Sequence, residues 1–491
     1  MAETAVDMEL INEEFQIETH GIEIIPEKQR GGSPRWLFWI WAGGTFYVNG
    51  LVVGGLLPLL GLNLWQSLTC ILLAAICTIG LGIFTVYGAR YGTSTMVDGR
   101  ATMGRRGQLL PTLLTWLGAV GWETVVSVVA ALLISAAVTH QWPHANTTVV
   151  EAISFAVVLA GLLLWSLFGH ATILKLQKPL SILSAVLLLG LVPALLIHGH
   201  LAHITWTGYV SPPAGTTVWA SWLFAFMILM SSGCWGWTAY ASEYARYLPQ
   251  RTPARPIVWN VFWGSNIGYT AVLLIGLWIT LGLKAANPIT AVPTFLPLWY
   301  LILFVLVIVV STWTTGVLDA YTSGLALLAL GLKVRRPVTI IADAVLVAFG
   351  GIYALFIYNF IGSFTEFLGL SIAWLAAWNA VILTDHFMNR RTRGYEQPED
   401  LLRSHGGRYW YQGGVSLKAF TAFILGTIGA LLFLNDSPLF VGPGSKALGN
   451  ADLSIWVGTA VAVIVYVVWH LVESRRSSAV QERVSAAAAA D

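Results

Sequence analysis

The stretch Ser231–Pro249 combines residue types that could bind a small molecule inside a membrane. It follows a charge-free apolar run, is interrupted by Gly233 and Gly236 beside two tryptophans, and continues to a basic end at Arg246. A glycine break in a membrane helix exposes backbone N–H and C=O groups, which lipid cannot satisfy. Because such breaks persist where they line a cavity enclosed by protein, we predict a binding site here.

Acidic residues also lie well inside long apolar runs, where an ionisable side chain is expensive and by default marks a functional site. Asp319 could accept hydrogen bonds from a ligand or carry a proton. Glu123 could face a ligand or a neighbouring helix, and the sequence does not decide between the two. Asp343 and Glu366 could equally be acids that a neighbour neutralises and that serve packing alone.

Hydroxyl side chains are concentrated in residues 311–323, the run that also contains Asp319. A hard cation such as Na⁺ prefers several oxygen ligands, and adjacent hydroxyls could supply them together with carbonyls freed where another helix unwinds. The alternative is that each threonine bonds to its own helix backbone at position i−4. We favour the cation because the first apolar run also contains a glycine-rich break.

The composition is that of a polytopic membrane protein. Hydrophobic residues make up 56% of the 491-residue chain and charged residues only 10%, whereas roughly a quarter of residues are charged in soluble domains. Cys70, Cys77 and Cys234 all lie in apolar runs, so the sequence predicts no disulfide framework. The acidic first residues do not resemble a signal peptide, and we expect them to form a cytosolic tail.

Twelve apolar runs are long enough to cross the roughly 30 Å of hydrocarbon in a bilayer. They cover residues 36–60, 64–87, 109–137, 149–169, 179–198, 217–241, 257–282, 296–331, 338–358, 362–385, 416–434 and 453–473. If both termini are cytoplasmic, every lysine and arginine except Lys284 and Lys446 falls in an inside loop or tail. Positive charge is enriched on the cytosolic side, so we predict a multi-pass protein of the plasma (inner) membrane with this orientation.

Glycine breaks at matching positions divide the chain into two related blocks. The first span carries small residues at 42–45 and again at 49–50, and the sixth span carries them at 231–236. Each opens a block of five spans, and because five is odd, the second block enters from the opposite side. Paired breaks in inverted repeats are typical of secondary transporters with a site near the bilayer midplane. The alternative is that these glycines serve only close helix packing.

The same pattern predicts how the chain is divided. We expect a cytosolic tail (1–35), a first five-helix repeat (36–198), a second inverted repeat (217–385), a cytosolic loop (386–415), two peripheral membrane helices (416–473) and a second cytosolic tail (474–491).

Five motifs resemble, in the same order, those of the nucleobase:cation symporter-1 family, in particular its purine and cytosine permease branch. They are GIEIIPEKQR (21–30), GARYGTSTMVDGRATMGRRG (88–107), GWTAYASEYARYLP (236–249), FLGLSIAWLAAWNAVILTDHF (367–387) and YWYQGG (409–414). The resemblance covers nearly the whole chain. It implies an all-α LeuT-type fold of two inverted five-helix repeats plus two peripheral helices. It also implies coupling of Na⁺ or H⁺ to uptake of a small planar heterocycle, with no cofactor and no enzymatic activity.

The resemblance also implies where the substrate binds. A nucleobase is a flat ring with hydrogen-bonding edges, so its site needs an aromatic platform and a few fixed polar groups. Trp122 and Trp237 match the positions between which the family stacks its substrate, and Trp235 takes that role if the register is shifted by two residues. The alternative is that these are interface-belt residues, but Trp122 and Trp237 should lie well inside their spans.

The cation site implied by the family combines the hydroxyl-rich run with the first break. Thr314 and Thr315 match the family's hydroxyl pair, and the partner carbonyls would come from near Gly43 and Phe46. Na⁺ at Thr314 and Thr315 is therefore one expectation, and H⁺ coupling is the other.

Departures from the family pattern leave the identity of the heterocycle open. Val126 occupies a position where many members carry Asn or Gln, and Gly316 begins a segment where the cytosine branch often has Asn-Asp-Asn. The segment around Asp319 resembles instead members proposed to carry hydroxymethylpyrimidine. We include Val126, Glu123, Gly316 and Asp319 among the candidate substrate-binding residues.

Other classes of function fit the sequence less well. An amino-acid-type permease on the same fold would use the first break to hold a carboxylate, whereas paired tryptophans favour a flat ring. A membrane enzyme would need a carboxylate or histidine constellation, and the sequence contains no HExxH or DxD set. A simple channel would not need inverted broken helices. We therefore expect a heteroaromatic substrate, a coupling cation and the bilayer as partners, and no nucleic acid.

Overall fold

The computed structural model describes residues 21–166, 170–198, 204, 206, 216–233, 235–332, 336–391 and 396–488. The acidic tail before residue 21 and Cys234 lie outside these ranges.

The described residues are almost entirely helical, which confirms the predicted all-α class. The α-helices are α1 (Pro34–Thr45), α2 (Asn49–Leu59), α3 (Leu64–Cys77), α4 (Ile79–Tyr91), α5 (Thr95–Asp98), α6 (Arg100–Met103), α7 (Leu109–Gln141), α8 (Thr147–Ser166), α9 (His170–Leu189), α10 (Leu191–His198), α11 (Val218–Ser232), α12 (Ala254–Leu283), α13 (Pro288–Phe295), α14 (Leu298–Ala329), α15 (Arg336–Ile352), α16 (Phe360–Asp385), α17 (Leu417–Leu432), α18 (Pro443–Ala447) and α19 (Ser454–Ala488).

Shorter elements complete the described part of the chain. Turns of 3₁₀-helix cover Glu27–Gln29, Gly236–Tyr240 and Pro398–Leu401, and π-helical turns extend α15 over Tyr353–Ile357 and α16 over His386–Arg390. A two-stranded antiparallel hairpin pairs β1 (Asn435–Asp436) with β2 (Phe440–Val441) between α17 and α18.

The described residues contain ten helical segments that are long and apolar enough to cross a bilayer. α1 and α2 form one further span, bent by 59° at a short break. α17 is apolar but has only 16 residues, fewer than the ~20 that cross the hydrocarbon layer without tilt or thinning. The count of twelve membrane helices therefore stays a prediction. α19 extends past the predicted end of the last span to Ala488.

The first predicted break is present, a few residues after the glycine pair. α1 begins at Pro34 behind the Ser33 cap and ends at Thr45. Phe46 leaves helical geometry (φ −77°, ψ 63°), and α2 begins at Asn49. Gly43 thus lies in the last turn of α1. The glycines of α2 serve packing, since a Cβ on Gly54 would lie 2.0 Å from the backbone oxygen of Leu273 in α12.

The second predicted break interrupts the sixth span more completely. α11 begins behind the Thr217 cap, runs to Ser232, and ends at Gly233, whose backbone (φ −113°, ψ −120°) is not helical. The chain then forms the short 3₁₀-helix Gly236–Tyr240 and continues through turns instead of an α-helix.

Long helices surround both breaks. α14 packs along α7 and also touches α1, and α16 contacts α7, α11 and the 3₁₀-helix Gly236–Tyr240. The two breaks, α7, α14 and α16 therefore enclose one central region. α17 and α19 pack against each other and against α16, at the outside of this arrangement, as expected for peripheral helices.

Candidate substrate and cation site

The first break exposes backbone oxygen atoms. The N–H of Phe46 still donates to the carbonyl of Ala42. The next backbone bonds are those from the N–H groups of Gly50 and Leu51, which donate to Tyr47 and Val48. In the described part of the chain, no hydrogen bond reaches the carbonyl oxygens of Gly43, Gly44 or Phe46. All three residues are buried. These oxygens are the type of ligand that a hard cation prefers.

The threonine pair of α14 is buried close to this break. The hydroxyls of Thr314 and Thr315 both donate to the carbonyl of Ser311, at 2.9 and 3.0 Å, so the bonding to the helix backbone considered as the alternative does occur. Each hydroxyl oxygen keeps lone pairs that can bind a cation while its proton is donated. A Cβ on Gly44 would lie 3.4 Å from Leu318, one turn further along α14, so the structure brings the break and the threonine helix together.

Trp237 lies in a buried cluster of aromatic rings. Its ring makes edge contacts with Trp41 of α1, at a centroid distance of 5.7 Å, and with Tyr240, at 5.3 Å. Trp41 in turn contacts the ring of Tyr244 at 5.9 Å. Trp235 is half-buried and lies outside this cluster. The aromatic cluster therefore links the second break to the helix that contains the first.

Trp122 approaches the same segment from α7. Its Cζ2 atom lies 3.9 Å from the position that a Cβ would occupy on Gly236, the residue before Trp237. The ring is half-buried and makes edge contacts with Phe364 and Phe367 of α16, at 6.1 and 5.3 Å. The structure thus places Trp122 beside the residue that precedes Trp237, and both rings pack against other aromatic side chains.

Two carboxyl groups are buried in this region without sufficient hydrogen bonds. Asp319 is 1% exposed, and neither of its oxygens has a hydrogen-bond partner among the described residues. The hydroxyl of Tyr240 faces this carboxyl group, although the two groups do not reach hydrogen-bonding geometry. Glu123 is 3% exposed, lies close enough to Asp319 to interact electrostatically, and leaves its Oε1 atom without a partner.

Other unpartnered polar groups are buried on the surrounding segments. The side chain of Asn379, on α16, accepts a hydrogen bond from Thr238 at 2.8 Å, but its Nδ2 atom donates to no described residue. Among the described residues, both polar side-chain atoms of Asn49 and the Nε1 atom of Trp41 also lack hydrogen-bond partners. Buried polar groups in folded proteins are nearly always hydrogen-bonded. The unpartnered groups named here lie on the segments around the two breaks, where they leave donors and acceptors that a ligand could use.

The sequence did not single out Asn379, Trp41 or Tyr240 as site residues. Asn379 and Tyr240 fall inside the quoted motifs, and a lone amide in an apolar helix is a usable signal. Trp41 carries no such signal, because only the packing of α1 against the second break places its ring next to Trp237.

The remaining candidate residues lie in varied surroundings. Val126 is buried one turn after Trp122 on α7. Gly316 is closely packed, since a Cβ there would lie 2.4 Å from Leu162 of α8, and its place among the substrate-binding residues stays a prediction. Asp343 has partners, accepting hydrogen bonds from the Ser323 hydroxyl and from Nε1 of Trp116.

Glu366 lines a largely apolar cavity of about 310 Å³ between α7, α15 and α16. Phe364 and Phe367, whose rings contact Trp122, line the same cavity. Glu366 is therefore separated from the Asp319 region by the aromatic layer around Trp122.

An all-helical membrane protein with two interrupted helices around a buried aromatic and polar site belongs to the class of secondary transporters. Comparison with known proteins identifies the family of transporters. Residues 24–458 match the family model described as a permease for cytosine/purines, uracil, thiamine and allantoin. The chain therefore belongs to the nucleobase:cation symporter-1 family, as its motifs suggested. The members are permeases, which confirms the expectation that the protein is not an enzyme.

The similarity to relatives and to solved structures extends along nearly the whole chain. The protein YxlA of Bacillus subtilis is 26% identical over 491 residues, covering 96% of this chain and 100% of its own. The purine-cytosine permease FCY2 of Saccharomyces cerevisiae is 23% identical, covering 91% of this chain and 85% of its own. The structure of Mhp1, a nucleobase-cation-symport-1 family transporter, aligns with a TM-score of 0.68 at 18% identity, over 92% of this chain and 94% of Mhp1. This likeness confirms the LeuT-type fold.

Proposed function

We propose that this protein imports a nucleobase or a related small heterocycle by cation-coupled alternating access. It would act in the plasma (inner) membrane with both termini in the cytoplasm, the orientation that the distribution of lysine and arginine favours. The observation that carries the proposal is the buried set of aromatic rings and unpartnered polar atoms between the two helix breaks.

The aromatic part of the site suits a flat ring. Trp237 belongs to the short segment after the second break and Trp122 reaches that segment from α7, so a heterocycle between the two rings would gain stacking on both faces. Asp319 and Glu123 supply hydrogen-bonding groups for its edge, and Val126 would contribute apolar contact. Trp235, the alternative stacking residue if the register is shifted, lies outside the aromatic cluster, so we assign the stacking role to Trp237.

The coupling cation would bind where α14 meets the first break. The carbonyls of Gly43 and Phe46 and the hydroxyl oxygens of Thr314 and Thr315 form a set of neutral oxygen ligands suited to Na⁺. A proton on one of the unpaired carboxyl groups is the other means of coupling. Either cation would stabilise one state of the transporter and thereby link its own gradient to substrate uptake.

Relatives support the substrate class but differ among themselves. FCY2 is named a purine-cytosine permease, and a Bacillus subtilis relative that is 23% identical over 461 residues is named an allantoin permease. Asp319, without the amides of the cytosine branch, favours hydroxymethylpyrimidine or another thiamine precursor as the alternative. An amino-acid-type permease would need a cationic or N–H-rich pocket for a carboxylate, and two buried acids disfavour it.

A thermal-shift panel tests the proposal directly. The purified protein is heated with cytosine, adenine, hypoxanthine, uracil, hydroxymethylpyrimidine or allantoin, with and without sodium and at two pH values. A ligand that binds the folded state raises its melting temperature by mass action. At least one heterocycle should do so, and sodium or acid pH should enhance the shift. No shift with any of the six heterocycles, under any of these conditions, would reject the proposed substrate class.

A further inference from the structure

A polar cavity of about 550 Å³ lies between the end of α16, the beginning of α17 and the last apolar turns of α19. The distribution of lysine and arginine assigns this end of the bundle to the cytoplasm. None of the candidate substrate-binding or cation-binding residues lines the cavity. Its described lining includes two acidic and three basic side chains, Asp385, Glu473, Arg390, Arg408 and Lys418. The cavity therefore carries an excess of positive charge whether or not His470, which also lines it, is protonated.

The buried acid of this cavity already has a full set of hydrogen bonds. Asp385 accepts them from Thr102, Asn389 and Tyr466, each at 2.7 Å, and from Nε of Arg390 at 3.0 Å. A carboxylate offers about four lone-pair sites. Asp385 therefore holds its neighbours in place and has no lone pair left for a cationic ligand.

The second acid is engaged in the same way. Glu473 accepts a hydrogen bond on one oxygen from Nζ of Lys418, at 3.2 Å, and on the other from Nε1 of Trp469, at 2.9 Å. These partners hold the carboxylate at the rim of the cavity. Both acids thus face donors from the protein itself, and the remaining binding capacity of the cavity lies with its basic side chains.

The basic side chains keep donors to spare. A guanidinium has five N–H donors and an ammonium has three. Within the described part of the chain, Nη1 of Arg390 makes no hydrogen bond. Arg408 uses only its Nη1 atom, in an ion pair with Glu396 at 2.6 Å. Lys418 has two described partners for its three donors. An anion with several oxygen atoms can accept from all three of these side chains.

The cavity opens next to surface that suits lipid chains. Leu417 of α17 and the neighbouring residues Leu471 and Val472 of α19 are large apolar side chains that are exposed beside the lining residues. Arg475 and Arg476 follow directly on α19 and are exposed as well. A basic pocket between membrane helices at the cytoplasmic side is the kind of site that binds acidic lipid headgroups. A ligand with an anionic head and apolar chains therefore fits this position better than a soluble anion does.

We propose that this cavity binds the phosphate group of an anionic phospholipid, with Arg390, Arg408 and Lys418 as its ligands and the acyl chains along α17 and α19. A guanidinium can bind phosphate through two parallel hydrogen bonds, and the ammonium adds a point charge. Since α17 and α19 pack against α16, the bound lipid would join the peripheral helices to the central ones. The site is separate from the proposed transport site, so either can fail without the other.

The test compares lipids and a soluble phosphate on the full-length protein. Native mass spectrometry in detergent measures the dissociation constants of phosphatidylglycerol, which is anionic, and of phosphatidylcholine, which is zwitterionic. The melting temperature with and without inorganic phosphate shows whether a soluble anion is sufficient, because a bound ligand raises it by mass action. Both measurements are made on the wild-type protein and on Arg408→Gln and Lys418→Gln, which each remove one charge from the cavity.

Two control variants separate the cavity from other effects of charge. Arg251→Gln removes an exposed charge from the same end of the molecule, in the loop before α12, a helix that packs on α1, α2 and α4. It reports the general attraction of a basic surface for anionic lipid. Glu396→Gln removes the acid that pairs with Arg408 but keeps the arginine. It reports the loss of the ion pair alone.

The wild-type protein should prefer phosphatidylglycerol, and inorganic phosphate alone should leave its melting temperature unchanged. Arg408→Gln and Lys418→Gln should each weaken the binding of phosphatidylglycerol about fivefold, the contribution expected of one basic side chain beside an anionic headgroup. Arg251→Gln should bind as the wild type does. Glu396→Gln should bind at least as tightly, since it leaves more donors of Arg408 to the lipid.

Equal binding of the two lipids by the wild-type protein would overturn the inference, as would wild-type affinity in both cavity variants or an equal loss in Glu396→Gln and Arg408→Gln. A melting temperature raised by inorganic phosphate in the wild type alone, without a preference between the lipids, would assign the cavity to a soluble phosphate and overturn the lipid assignment. If Lys418→Gln does not fold, Arg408→Gln decides the question, because the side chains of Arg408 and Glu396 are 43% and 49% exposed.

Discussion

The two interrupted helices differ in how the backbone groups at their breaks are hydrogen-bonded. In the first break, no described hydrogen bond reaches the carbonyls of Gly43, Gly44 and Phe46, and an α-helix resumes at Asn49. In the second, two described N–H groups donate back across the break, Trp235 to Met230 at 3.1 Å and Trp237 to Gly233 at 3.3 Å. The first break therefore offers main-chain oxygens, while the second offers side chains.

This difference follows from the residues around each break. The first follows the glycine pair Gly43–Gly44 and continues into a helix whose glycines let α2 lie directly on α12. The second contains two tryptophans and a tyrosine within Trp235–Tyr240. We interpret the first break as the part that binds the cation and the second as the part that binds the heterocycle. In this way two related elements acquire separate roles in one site.

The largest effect is expected from removing the aromatic platform of the second break. Trp237→Ala should abolish uptake of labelled heterocycle while membrane expression remains intact, because the buried stacking face is lost. Trp235→Ala is the matched control, since this ring lies two residues away and outside the aromatic cluster. It should retain most of the uptake. Unchanged uptake in Trp237→Ala would reject its stacking role.

Alanine substitutions at Gly236 and Gly44 compare how closely the two breaks are packed. On Gly236, a Cβ would lie 2.1 Å from the backbone oxygen of Ser231, which has no flexible side chain to move aside. On Gly44, the nearest atom is the end of the Leu318 side chain at 3.4 Å, an ordinary contact. Overpacking of this kind costs roughly 1–3 kcal/mol.

Gly236→Ala should accordingly weaken heterocycle binding by about tenfold or more, at 1.4 kcal/mol per factor of ten. Gly44→Ala should change it only slightly. Calorimetric titration of both purified variants measures this difference. Equal losses of heterocycle affinity in the two variants would show that the second break does not position the substrate more closely than the first.

The sequence could predict the spans, the two breaks and the buried acids, because each depends on local residue types. Glycines, apolar runs and charges are readable without tertiary contacts. It could not predict that the first helix continues through Gly43 and ends only at Thr45, since the contacts of α1 with its neighbours decide this. It also could not predict the close packing of Gly316 against Leu162.

Side chains contributed by distant segments were the least predictable part of the site. Trp41 joins the aromatic cluster only because α1 packs against the second break. Asn379 bonds to Thr238 across 141 positions of sequence. A single sequence contains no information on such pairings, whereas the inverted-repeat pattern already indicates which two breaks face each other.

The most direct test asks whether the two breaks form one coupled site. The dissociation constant of the heterocycle is measured against sodium concentration and against pH, in the wild-type protein, in Thr315→Ala and in Thr139→Ala. Thr139 is the matched control, because its hydroxyl also donates to its own helix, at 2.8 Å to Ser135, but far from either break.

Sodium should tighten binding in the wild-type protein, and Thr315→Ala should need several-fold more sodium, whereas Thr139→Ala should match the wild type. A response to pH alone would place coupling on a buried carboxyl group and contradict a cation site at the first break. A dissociation constant that responds to neither cation, or a Thr315→Ala curve identical to the wild-type curve, would contradict the proposed division of roles between the two breaks.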